Sequence, residues 1–237
     1  MLFGARERFE RPAPHEVTAE PSIRGLVRLP GVVTLLVVYF MLNLSGTIVG
    51  PIFPLFVEQL KGTAQGAAST TGMLLGIGGM VAAVAAVTVG RSSDRLGHRR
   101  ILVLSTAFAG LFCFPQAAAR TIAHLLAIRV LFGFAAGGMS PTVNALMANI
   151  CPRNCLGRIY GLTTAASSVG VAIGPSLGGW LASAAGLRLP FVVMGAMMLL
   201  LALTVHRRVP ADALGPVRPA DPWKTVRPPA VDEAAGD

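Results

Sequence analysis

Arg129 is the only charged residue deep inside an apolar stretch of this sequence. It stands seven residues past Ile122, about 10 Å along a helix at roughly 1.5 Å per residue. An arginine at that depth is costly unless paired or solvated, which marks it as a functional candidate. A side chain that snorkels to the interface, or one that serves as a hydrogen-bond hub, accounts for it equally. Asn43 and Thr47 lie four apart in the first apolar stretch and share a helix face. Gly46, Gly50, Pro51 and Pro54 allow that helix to break, and polar, interrupted helices line the cavities of carriers. Asn144, after Pro141, is a candidate for the same cavity; hydrogen bonding between helices is the equal alternative for these residues. No Asp, Glu or Lys lies deep in any apolar stretch, and Glu58 sits at the end of the first. There is no arrangement of nucleophile and base, no pair of acids and no cluster of metal ligands, so neither catalytic residues nor a cofactor or metal is expected. Cys151 and Cys155 flank Arg153 and read as two small residues in a connection between helices; the three cysteines make no disulfide framework.

The elements that must position these residues follow from composition. The chain has 237 residues, 53% of them hydrophobic and 13% charged, where a soluble domain carries roughly 25% charged residues. So little charge cannot cover a globule of this size, which excludes a soluble enzyme and points to a chain embedded in lipid. Six apolar stretches are long enough to span a bilayer, which takes about 20 residues of helix. They run over residues 31–57, 68–89, 101–119, 122–147, 159–182 and 189–205. Tails of residues 1–28 and 209–237, rich in Arg and Pro, flank a membrane domain of residues 29–208 and lack an apolar face, so both are expected to be largely disordered. The expected fold is all-α, with six transmembrane helices.

The net charge of +9 is not a nucleic-acid signal, because the Lys and Arg fall in short clusters between apolar runs. With the N-terminus on the cytoplasmic side, sixteen of them lie in cytoplasmic segments and three, Lys61, Arg120 and Arg188, in outer loops. This positive-inside bias predicts a multi-pass protein of the cell membrane with both termini cytoplasmic.

Between the second and third spans stands Gly90-Arg-Ser-Ser-Asp94-Arg95-Leu-Gly97-His-Arg99-Arg100. A tight hairpin loop explains its arginines and glycines, and Asp94 among them can cap a helix end or pair with an arginine. Gly90, Asp94, Arg95, Gly97, Arg99 and Arg100 match the G-x-x-x-D-R-x-G-x-R-R signature found at this place in the major facilitator superfamily, and the chain resembles that family from about Val32 to Arg208. In the fifth span, Gly161, Gly170, Gly174, Pro175, Gly178 and Gly179 resemble the fifth-helix motif of its drug and proton antiporters. Independently of the family, Gly170, Gly174 and Gly178 make a stripe that lets another helix approach closely, and Pro175 is expected to bend the helix. Arg129 and Gly133 resemble a fourth-helix Arg-x-x-x-Gly motif tied in the family to proton transfer.

The resemblance implies one six-helix half of a transporter that normally has two, and the features flanking the fifth and sixth spans resemble the carboxyl-terminal half of multidrug efflux members. It implies a secondary active transporter exporting small apolar or cationic compounds by proton antiport when paired with another half or a second copy. The partners expected are the lipid bilayer, a small-molecule substrate and that second half, with no nucleic acid. The alternative is a non-transporting remnant or membrane scaffold of the same family.

Overall fold

The computed structural model describes residues 30–150 and 156–208, with the side chains at 30–31, 94–95, 148–150, 156 and 208 excepted. The two tails, Cys151, Arg153 and Cys155 lie outside the described residues. Eight helices are found among the described residues: α1 Pro30–Ile48, α2 Phe53–Lys61, α3 Ala67–Leu96, α4 His98–Ala117, α5 Ile122–Gly137, α6 Met139–Ile150, α7 Leu156–Ala185 and α8 Leu189–Arg208. Two pairs are single passes interrupted midway. α1 and α2 are parted at Gly50 and Pro51, where proline removes a backbone donor and Pro54 restarts the helix in its first turn. α5 and α6 are parted at Gly138 alone, three residues before Pro141. The result is an all-α bundle of six passes, each coinciding within several residues with an apolar stretch of the sequence.

Five of those passes are long and apolar enough to cross a membrane by themselves. α7 has the length, 30 residues, but its glycines, serines and threonines dilute its apolarity. The helix is also continuous through Pro175. The expected loop between the second and third spans is nearly absent: α3 stays helical to Leu96 and α4 begins at His98. Only Gly97 leaves the helix, at φ 92° and ψ 131°, a backbone region that glycine enters without steric cost.

The helices associate through small residues, as expected where lipid removes the hydrophobic drive between helices. α1 lies along α7, α4 along α8 and α3 along α5. At the α4–α8 crossing Gly110 faces Gly195; a Cβ on either would come 2.9 Å from the other's carbonyl oxygen. On α5, Gly133 and Gly137 press against the backbone of Gly78 and Ala82 on α3. Larger side chains fill the two ends. Leu35, Leu102, Leu146 and Leu201 pack at the arginine-rich end. Phe53, Phe56 and Phe191 pack near the opposite one, with Phe56 and Phe191 ring centroids 5.0 Å apart. α3 and α7 meanwhile turn large apolar residues outward: Met80 is 73% exposed and Trp180 65%.

Candidate functional site

A cavity of about 610 Å³ opens where the two broken passes face each other. Its position follows from the breaks. Gly46, Val49 and Gly50 at the end of α1 and Phe53 at the start of α2 form one wall, and Ala136, Met139 and Ser140 at the α5–α6 junction form another. Arg129 and Phe132 of α5 reach it from one side, and Asn43 and Tyr39 of α1, Asn144 of α6 and Ser167 of α7 bring polar groups to it. Met194 and Met198 of α8 add adaptable apolar surface.

Arg129 is held from three directions. Its guanidinium carbon lies 4.6 Å from the centroid of the Phe53 ring and 5.3 Å from that of Phe132. Nη1 donates to Gln116 Oε1 of α4 at 3.4 Å. Its stem packs on Gly78 of α3, where a Cβ would come 3.2 Å from Arg129 Cγ. The half-buried side chain thus combines a charge open to the cavity with a hub joining three helices.

The polar groups form a second cluster. Tyr39 Oη donates to Asn144 Oδ1 at 2.6 Å, across 105 residues of chain. Asn43 Nδ2 donates to the Tyr39 carbonyl at 2.9 Å and to Ser167 Oγ. Arg129, Asn43 and Asn144, three candidates from the sequence, therefore line the same space. Thr47, the fourth, does not. Its hydroxyl donates back to the Asn43 carbonyl at 2.8 Å and packs on Gly174. The reason is the glycine stripe, which draws α1 so close to α7 that the face bearing Thr47 becomes an interhelical contact.

That stripe takes α1 as its partner. A Cβ on Gly170 would come 2.7 Å from the Phe40 carbonyl oxygen, and Cβ atoms on Gly174 and Gly178 would collide with Thr47 Oγ1 and the Ile48 carbonyl. Gly161 and Gly179 face open space, and Pro175 is exposed.

In the loop signature, Gly90 lies within α3, 4.0 Å from Pro141 by a built Cβ, and Gly97 makes the turn. The Asp94 and Arg95 side chains lie outside the described residues. Arg99 donates to the His206 carbonyl at the end of α8, and Arg100 is exposed. Buried beneath the turn, Ser93 Oγ and His98 Nδ1 are 2.8 Å apart.

Sequence reasoning did not single out Tyr39, Gln116, Phe132, Ser167, Ser93 or His98. Two left a signal: Tyr39 precedes Asn43 by one helical turn, and Gln116 is the one amide of its pass.

Broken helices around a mid-bundle cavity, with one cation and a ring of amides and hydroxyls on its wall, are an architecture that membrane carriers share. The chain belongs to the Major Facilitator Superfamily, whose profile matches residues 35–231. Among its relatives, the multidrug resistance protein MdtG of Rahnella sp. (strain Y9602) is 29% identical over 199 residues, which are 84% of this chain and 48% of that protein. MdtG of Citrobacter koseri is 27% identical over 199 residues, 84% of this chain and 49% of that one. The chain spans about half the length of the curated relatives it matches. In structure it is similar to a bacterial homologue of the human lysosomal transporter Spinster in an inward-facing, occupied conformation. The TM-score is 0.65 at 18% identity, over 76% of this chain and 44% of that one. It is also similar to the human organic anion transporter MFSD10, with a TM-score of 0.61 at 18% identity, over 79% and 50% of the two chains.

Proposed function

We propose that the chain is the carboxyl-terminal six-helix half of an efflux carrier that exports small, largely apolar compounds by proton exchange. It acts together with a second six-helix half or a second copy of itself. The observation that carries this reading is the cavity at the two helix breaks. Its apolar walls of Phe53, Phe132, Met194 and Met198, with a few placed polar groups, are the composition of a site for small organic molecules. The multidrug resistance names of its relatives support the same direction of transport.

Proton coupling requires a group that releases its proton in the working range, and arginine does not. Glu58 is the one acid among the described side chains, and it stands outside the cavity wall. The coupling acid therefore comes from the partner half or, where the partner is a second copy, from its Glu58. That same observation favours a second reading, a non-transporting membrane component of the family. Reconstitution decides between them. In vesicles with an imposed pH gradient, this chain alone is expected to move no fluorescent lipophilic compound, and the chain with its partner half is expected to move it down the gradient's drive. Gradient-driven transport by this chain alone would refute the half-carrier reading, and inactivity of the paired halves would favour the non-transporting one.

A further inference from the structure

We infer that the cavity is a site for organic anions, in which a carboxylate or similar anionic group sits against Arg129 and an apolar body lies along Phe53, Phe132 and the methionines. This rests on the reading of the cavity as the cargo site and narrows it, against the cationic cargo that the resemblance also implies.

The argument begins with the donors of Arg129. A guanidinium carries five N–H groups in a planar fork matched to a carboxylate. One of them reaches Gln116, at a long 3.4 Å. The phenyl rings of Phe53 and Phe132 lie within 4.6 and 5.3 Å of its carbon. They fix the group in place but accept no conventional hydrogen bond from its edge. Nε lies against Gly78 of α3, where a Cβ would come 3.5 Å from it, and the guanidinium beyond it belongs to the cavity wall.

The second step is charge. Among the described side chains the only acid is Glu58, which does not line this space. Among the described side chains, the wall that this chain supplies thus bears one positive charge and no negative one. A membrane-embedded cation without a counter-ion is costly, and the cost is relieved by whichever anion enters. A cationic guest would be repelled, and a neutral guest would gain no charge pairing. The third step is shape. About 610 Å³ falls in the range of roughly 300–1,000 Å³ that encloses a small organic molecule. Met139, Met194 and Met198 can adapt to its apolar part.

The test uses the purified full chain in nanodiscs of zwitterionic lipid, with empty discs as the control. Three probes share one apolar body and differ in charge: 2-naphthylacetate, 2-naphthylacetamide and 2-naphthylethylammonium. Equilibrium dialysis is expected to show the acid held about tenfold more tightly than the amide, as one charged hydrogen-bonded pair implies, and the ammonium held no better than by empty discs. Arg129→Gln is expected to erase the preference, so that acid and amide are held equally. Arg129→Lys, which keeps the charge but not the fork, should retain part of it; should the Gln variant not fold, the wild-type ranking and the Lys variant decide. Equal binding of all three probes by the wild type would overturn the inference, as would an acid preference that survives in Arg129→Gln. An acid preference without transport by the paired halves would leave the site standing and remove the carrier reading. Transport of neutral compounds without any acid preference would do the reverse.

Discussion

Ser93 and His98 show how much a single contact decides at the turn between α3 and α4. Both are buried, at 2% and 4% exposure, and each is the other's hydrogen-bond partner at 2.8 Å. Removing one leaves the other's polar atom buried and unpaired, which costs about 1–3 kcal/mol, whereas removing both costs less than the sum. Ser93→Ala and His98→Leu are each expected to lower thermal stability by that amount, with the double variant falling short of additivity by about 1 kcal/mol. Additive losses in a melting assay would show that the pair is not coupled. The residues around Arg129 obey the same logic from the other side: the rings and Gln116 account for its placement.

Among the elements, the α1–α7 pair carries the sharpest contrast between a glycine that is needed and one that is not. Gly178 lies so close to the Ile48 carbonyl that a Cβ has no room, and the obstacle is backbone, which cannot rotate away. Gly179, its neighbour in sequence, faces open space. Gly178→Ala is expected to destabilise the bundle by about 1–3 kcal/mol through overpacking. Gly179→Ala should be neutral or stabilising by up to about 1 kcal/mol, since alanine is the better helix former. Unfolding of the two variants in detergent under added denaturant checks this, and similar losses in both would count against close approach of α7 to α1. The helix breaks belong to this scale as well. Pro51 and Pro54 were visible as breakers; the second break, at Gly138, and its meeting with the first across one cavity were not, because they depend on how passes distant in sequence dock.

For the whole molecule, the charge bias sets an orientation. Sixteen positive residues in one set of segments against three in the other predict six passes with both termini cytoplasmic. Reporters active in the cytoplasm or outside it, fused at Gly62, Arg95, Arg120, Asn154 and Leu187, are expected to alternate, with Arg95 and Asn154 inside. An outside signal at Arg95 would overturn the scheme. α7 enters this prediction as a pass despite its modest apolarity, since its 30 residues and its seat along α1 place it within the bundle.

The sequence alone determined the number of passes and that the first of them can break, because apolar length, proline and glycine act locally along the chain; the break at Gly138 came only with the structure. It also determined the residues with chemistry to offer, since an arginine or an asparagine in an apolar run stands out by its desolvation cost wherever the run goes. It carried the family as well, in spaced glycines and arginines whose order generic packing does not explain. Tertiary structure decided which of those residues share a space. Asn43 and Thr47 were equivalent by helical spacing, yet only Asn43 lines the cavity, because the α7 glycines bring their helix onto Thr47. Arg129 acquired Phe53 and Gln116 as neighbours from two other passes, and Asn144 acquired Tyr39 across 105 residues. Such contacts arise from close packing of helices through small residues, whose partners no local pattern names.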